Sequence, residues 1–170
     1  MPMPSNIRLD TARPDDAEAI LAVHRAAIRG TAVGFYAPEI IDAWAPLPVR
    51  PEHVDALALR VENGIEEAVV ARRRGAGIVG FGSFVPGRRE LRAVYVRPDY
   101  GRMGIGAAML AALELRARKY GLKELVMDAS LNAEAFYLRH GFVTERTGEH
   151  LLSGGLRMAC LRMRKPLAGR

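Results

Sequence analysis

The stretch Val94-Tyr95-Val96-Arg97-Pro98-Asp99-Tyr100-Gly101-Arg102-Met103-Gly104-Ile105-Gly106-Ala107 constrains the fold more than any other part of the chain. A β-rich run is stopped by Pro98 and turns through glycine. It then enters a segment, Gly104 to Tyr120, dominated by Ala, Leu, Met, Arg and Glu, all good helix formers. The first N–H groups of a helix have no partner within it, and the helix dipole is positive there. A phosphate satisfies both. Glycines at 101, 104 and 106 allow the backbone to approach a ligand closely, and Arg97 and Arg102 add positive charge. The stretch therefore reads as an anion cradle, with a merely tight strand–helix connection as the alternative. A carboxylate placed at Gly104 is expected to weaken anion binding and leave the fold intact.

Two familiar phosphate motifs do not match. No Gly-Lys-Ser/Thr follows Gly106, as a Walker loop requires. A dinucleotide fingerprint wants a third glycine where Met109 stands, and here four strand candidates precede the motif. The net charge of +6, from 25 Lys+Arg against 19 Asp+Glu, suits a polyanionic ligand such as coenzyme A or nucleic acid, and equally a solubilising surface. The arginines at 72–74, 88–89, 97 and 102 are scattered in turns with little aromatic interleaving, which argues against nucleic-acid binding.

Other classes are excluded by composition. No run reaches the ~18 apolar residues of a membrane span. The start, Met1-Pro2-Met3-Pro4-Ser5, lacks the pattern of a secretory signal and reads as a floppy tail (1–5) on a single domain, 1–170. Cys160 is the only cysteine, so neither an intrachain disulfide nor a thiolate cluster can form. His24, His53, His140 and His150 show no metal-ligand spacing, so no metal is expected. These features fit a reducing cytoplasm.

Around the cradle the chain alternates strand and helix signals. Ile7-Arg8-Leu9 is a short strand. A helix opened by Pro14 carries Ala17, Ile20, Leu21, His24 and Ile28 at helical spacing and ends at Gly30. Residues 31–50 read as irregular and aromatic, and Pro51 opens a second helix that stops near Asn63-Gly64. Strands are expected at Glu67–Arg72, Ile78–Phe84, Glu90–Val96, Glu124–Ala129, Gly141–Arg146 and Leu156–Arg164, with a short helix at Asn132–Arg139. The pattern predicts an α/β (α+β) chain, a mixed sheet with helices packed on it.

The run Ser130-Leu131-Asn132-Ala133-Glu134-Ala135-Phe136-Tyr137-Leu138-Arg139-His140-Gly141-Phe142 resembles the N-A-x-A-F-Y-x-x-x-G-F signature of the GNAT superfamily of acetyltransferases. The cradle resembles that family's Q/R-x-x-G-x-G/A loop, with E-L-x-x-x-x-V-x-P upstream, and the two motifs stand in family order. Gly101 departs from the pattern, which has Gln or Arg there; backbone N–H groups do most of the loop's work, and Arg102 can supply the lost contact. The resemblance spans roughly residues 7–165. It implies a GNAT-like, largely antiparallel sheet with two splayed parallel central strands, helices on both faces, and acetyl-CoA as cosubstrate between those strands.

Carried over residue by residue, the resemblance gives the backbone of Val94 and Val96 to the pantetheine arm and the N–H groups from Arg102, Met103, Gly104, Ile105, Gly106 and Ala107 to the pyrophosphate. The Val94 N–H becomes a one-donor oxyanion hole. Asn132 becomes a cofactor contact, or an N-cap for the helix after it. Tyr137 becomes the acid that protonates the leaving thiolate, or a core aromatic. A phenol holds its proton at neutral pH and can give it up. Glu90, eleven residues before Gly101, is a candidate base, or a strand-edge charge among Arg88, Arg89 and Arg92. Four strand residues span about 13 Å, so Glu90 needs a bulge, a water relay or a long substrate to act at Val94. Cys160 is expected to pack as a small hydrophobe.

The implied reaction is direct attack of a primary amine on acetyl-CoA. The acceptor is a small molecule or peptide gated by residues 31–50, where Phe35, Tyr36 and Trp44 line a pocket or pin the loop. No nucleic-acid or membrane partner is expected, and the oligomeric state is open between monomer and homodimer. A non-catalytic CoA-binding module and a basic nucleic-acid-binding protein are the rival functions.

Overall fold

The computed structural model describes residues 1–168. The elements are β1 (Ile7–Thr11), α1 (Ala17–Thr31), α2 (Pro38–Trp44), α3 (Pro51–Glu62), β2 (Glu67–Arg73), β3 (Gly77–Val85), β4 (Glu90–Val96), α4 (Ile105–Lys119), β5 (Glu124–Ser130), α5 (Glu134–Arg139), β6 (Val143–Leu151) and β7 (Arg157–Pro166). The seven strands form one sheet in the order β1-β2-β3-β4-β5-β7-β6. Every neighbouring pair is antiparallel except β4 and β5, as the mixed, largely antiparallel expectation required.

Helices cover both faces. On one, Ile105, Met109, Leu110 and Leu113 of α4 pack with Val69, Phe84, Leu91, Leu125 and Met163 of the sheet. On the other, Ile20 and Val23 of α1 and Leu57 of α3 pack with Val70, Phe81 and Ala93. Strict alternation would put residues 91 and 93 of β4 on one face, but an irregularity at Arg92 sends them to opposite layers. Leu91 joins the α4 core and Ala93 the α1 core, while Val94 and Val96 return to the α4 side.

Two expectations fail near the N-terminal helices. Residues 31–50 are not wholly irregular, because α2 forms within them. Its prolines obscured it. Pro38 occupies the first turn, where a missing N–H costs nothing, and Pro46 lies beyond the end. Ile41 is buried against Ile28, Ala32 and Ala45. Gly30 does not end α1, which continues to Thr31. A Cβ there would strike the Pro98 ring, so this glycine lets α1 rest on the turn that follows β4.

The feature that creates a site is the short seam between β4 and β5. Their pairing is confined to Glu90 opposite Val126, with the Val126 N–H donating to Arg89 O at 2.9 Å. Beyond this point the strands part. On its other side β4 is bulged: Ser83 faces Ala93 and Phe84 faces Leu91, leaving Arg92 as the extra residue. A bulge bends and twists its strand. The divergence of β4 from β5 begins beside it.

Candidate active site

The parting strands open two cavities that meet along the seam. The larger, about 770 Å³, lies between β4, β5, α4 and α5. The smaller, about 360 Å³, lies between β4, β5, α1, α2 and the β6–β7 turn. Arg92, Ala93, Tyr95, Asp128 and Ser130 line both.

Several backbone donors face the larger cavity. The Arg97 N–H donates to Val79 O on β3 at 2.8 Å. Successive strand residues send their N–H groups to opposite sides, so Tyr95 and Ala93 also face β3, while Val94 and Val96 face the gap. At the far end, Ala108 N–H makes the first bond of α4, to Gly104 O. The N–H groups of Ile105, Gly106 and Ala107 therefore have no helical partner, and all three residues line the cavity. Gly104 has φ 74° and Arg102 φ 62°, a left-handed turn that aims this helix start. Arg102 and Arg139 stand in the wall and add positive charge.

The expected site residues divide as follows. Val94, Val96, Arg102, Gly104, Ile105, Gly106, Ala107, Asn132 and Tyr137 all line this cavity. Met103 does not; its side chain is exposed on the outside of the turn. Glu90 lines the smaller cavity instead, at the closed end of the seam and 3.4 Å from Arg88. Gly104 is a poorer place for a carboxylate than expected. Any Cβ there is strained by the positive φ and would meet the Met1 backbone, which runs beside it. The probe would disturb the turn itself.

Asn132 is not an N-cap. It sits in a 3-10 turn before α5, whose capping residue is Ala133. Its Nδ2 donates to Thr31 Oγ1 at 3.2 Å, and its Oδ1 is buried with no hydrogen-bond partner. A buried acceptor left open at a cavity wall invites a donor from a ligand. Tyr137 is only 4% exposed, its ring packed against Phe136 and Phe142. Burial, with a smaller contribution from Tyr95, raises its pKa well above that of an ordinary phenol, so its hydroxyl remains protonated. Tyr137 is thus a core aromatic whose hydroxyl keeps its proton.

The smaller cavity is built from side chains. His24, Trp44, Phe81 and Tyr95 form an aromatic wall, with ring centroids of His24 and Tyr95 4.9 Å apart and of Phe81 and Tyr95 5.6 Å apart. His24 accepts from Arg25 through Nδ1 at 2.7 Å. Burial, reinforced by the Arg25 charge, depresses its pKa to about 3, so the ring is neutral and carries its proton on Nε2. Tyr36 pins its loop: its hydroxyl accepts from Leu131 N–H at 2.8 Å and donates to Ala159 O at 2.7 Å. Trp44 lines the cavity and Phe35 is exposed. Cys160 is buried in the same wall, and burial raises its pKa.

Tyr95, Asp128 and His24 were not singled out as site residues from sequence. Tyr95 could have been, because once Val94 is assigned to one face, its neighbour must point to the other. Asp128 and His24 carry no local signal.

A family model described as an acetyltransferase (GNAT) domain matches residues 43–165, most of the chain, including both cavities' shared strands. The chain belongs to the GNAT acetyltransferases. Among curated relatives, this acetyltransferase is 29% identical over 140 residues to the uncharacterized N-acetyltransferase YafP of Escherichia coli, covering 82% of this chain and 83% of that protein. It is 24% identical over 138 residues to the spermidine N(1)-acetyltransferase of Thermoplasma acidophilum, covering 78% and 86%. The crystal structure of a GCN5-related N-acetyltransferase from Rhodopseudomonas palustris superposes with TM-score 0.84 at 29% identity, covering 98% of this chain and 99% of that one. PaiA N-acetyltransferase of T. acidophilum, in complex with coenzyme A, superposes with TM-score 0.75 at 21% identity, covering 94% and 98%.

Proposed function

We propose that this GNAT acetyltransferase moves the acetyl group of acetyl-CoA to a primary amine by direct attack, with the cosubstrate in the larger cavity and the amine in the smaller. The observation that carries the reading is the common direction of the backbone donors. The N–H groups of Val94 and Val96 and the open N–H groups at the start of α4 face one cavity. The partnerless Asn132 Oδ1 on the same wall supports a ligand with donors of its own. The coenzyme A bound in the PaiA structure, and the N-acetyltransferase names of the relatives, fit this assignment.

Acetyl-CoA supplies a thioester whose carbonyl carbon takes the amine and whose sulfur departs as thiolate. The chain supplies position and charge. The N–H groups of Ile105, Gly106 and Ala107 receive the pyrophosphate, helped by Arg102 and Arg139. Val94 and Val96 pair with the pantetheine arm as an added strand would. The Val94 N–H holds the negative charge that grows on the carbonyl oxygen. The Tyr137 hydroxyl delivers a proton to the leaving sulfur. Glu90 lies too far along the closed seam to touch the attacking amine and accepts its proton only through water in the smaller cavity. The setting is cytoplasmic, in keeping with the free thiol of Cys160.

The test is an acceptor screen scored by release of the CoA thiol, covering amino acids, polyamines, aminoglycosides and peptide N-termini. Amine-dependent release is expected for at least one class. A protein that binds acetyl-CoA yet releases no thiol with any of them would be a CoA-binding module, contrary to this reading.

A further inference from the structure

The charges around the smaller cavity are unevenly matched. Glu66 is satisfied by Arg60 Nε at 2.9 Å and by the Ser83 hydroxyl at 2.6 Å. Glu90 is paired with Arg88, Asp128 with Arg162, and the nearby Glu124 with Arg89. Each carboxylate in the wall thus has its own arginine. Arg92 is different. It is the bulged residue of β4 and lines both cavities, and among the described residues it has no carboxylate within 4 Å. Arg92, a solvent-exposed residue, is therefore an unmatched cation beside the seam where amine and thioester are proposed to meet.

A planar guanidinium at such a point suits a planar carboxylate, which it can hold by two parallel hydrogen bonds. The remainder of the cavity is small. Its volume of about 360 Å³ is at the low end for ligand sites, typically ~300–1,000 Å³. Among its polar lining, Ile20, Trp44, Leu57 and Phe81 offer an apolar and aromatic patch. A carboxylate at the seam, a side chain in the apolar recess, and an amine one carbon from the carboxylate describe a single kind of molecule.

We propose that the acceptor is a free α-amino acid with an apolar or aromatic side chain, its carboxylate held by Arg92. This rests on the acetyl transfer described above and names its substrate class. The amine is then fixed beside Val94 by its own carboxylate. The cation also disfavours a second positive charge close by, which favours the neutral, reactive form of the amine. A polyamine has no group for Arg92 and would bring like charge to it.

The experiment compares matched acceptors in the thiol-release assay. Phenylalanine, tryptophan and leucine are each set against their decarboxylated amines and their amides; putrescine and spermidine are included. The amides ionise at about 8, like a chain terminus, and so offer ample neutral amine. The wild type should prefer each free amino acid by about 10–100-fold in kcat/KM, the scale of one charge-assisted contact. Arg92→Lys should keep the preference in reduced form. Arg92→Glu should abolish or invert it, while acetyl-CoA affinity, followed by calorimetry, moves less than threefold.

Equal or better turnover of amines, amides or polyamines would overturn the proposal. So would bound acetyl-CoA with no transfer to any amino acid, or a loss of acetyl-CoA affinity in Arg92→Glu as large as the loss of acceptor turnover. Failure of the underlying reading looks different: no acetyl-CoA binding, or binding with no thiol release for any amine, amide, polyamine or amino acid.

Discussion

The two cavities that meet at the β4–β5 seam are made of different material. The larger presents backbone N–H groups from β4 and from the first turn of α4, and glycines keep side chains out of their way. The smaller presents side chains from distant parts of the chain: His24 from α1, Trp44 from α2, Glu66 from the bend before β2, Phe81 from β3, Met158 and Cys160 from β7. A backbone site needs one strand–turn–helix with glycine at the right places. A side-chain site needs the whole fold. The first can stay constant across a family, and the second can be rebuilt for each acceptor.

The sharpest break in this comparison lies at Tyr137, in the wall of the larger cavity and proposed above as the acid. Tyr137→Phe keeps the ring and its packing. Loss of a general acid should lower turnover about 10²–10⁴-fold. The lower end is expected, because a thiol ionises near 8.5 and leaves fairly well unaided. Acetyl-CoA affinity should hardly change. Steady-state and single-turnover kinetics on the folded variant check this, and wild-type turnover where chemistry limits the rate removes Tyr137 from the mechanism.

Gly106→Asp should act on one cavity alone. Residue 106 has ordinary helical geometry, and an added Cβ would meet the Phe136 ring at 3.3 Å, needing a shift of a few tenths of an ångström. A carboxylate in the first turn favours the helix itself, so lost binding is not lost folding. Acetyl-CoA affinity should fall about 10²-fold, since the new charge faces the cosubstrate's phosphates. Unchanged affinity by calorimetry would place the pyrophosphate elsewhere.

Tyr36→Phe should act mainly on the other. It removes both hydrogen bonds that tie the α1–α2 loop to Leu131 and Ala159. The acceptor KM should rise about tenfold and stability should fall by about 1–3 kcal/mol, the range for leaving part-buried partners unmatched. An unchanged KM would mean the loop needs no such tie.

A last effect concerns pH. His24 binds its proton in the folded state only near pH 3, against about 6.5 unfolded. The unfolded chain therefore binds more protons between these values. Stability from His24 is fully present above about pH 6.5, declines as pH falls below it, and is spent near pH 3. Urea titrations of wild type and His24→Asn should diverge over that window. Parallel curves would show that His24 is solvated.

The ease of reading the two cavities from sequence follows from the same difference. Gly104 and Gly106 between a strand and a helix, followed by the Asn132–Phe142 run, make the larger cavity legible because its geometry is local. The strands and α4 were legible for the same reason, as period and turn residues agree over each segment. Helix α2 was hidden by Pro38 and Pro46, whose effect depends on which side of a helix boundary they fall. Asn132 read equally as a cap, and only its packing against Thr31 decides otherwise. Tyr36 could be recognised as a pin, but its partner Ala159 lies more than a hundred residues away. Nothing near Asp128 or His24 in sequence announces that bulged β4 and parted β5 will bring them to one wall.

Acetyl-CoA binding at the β4–β5 gap is the central claim, and calorimetric titration of the full chain with acetyl-CoA tests it most directly. One molecule should bind per chain. Thermal unfolding in the same buffer should rise to match, with about 2.7 kcal/mol of added stability at a ligand concentration one hundred times the dissociation constant. No heat of binding and an unmoved melting temperature at millimolar acetyl-CoA would contradict the account.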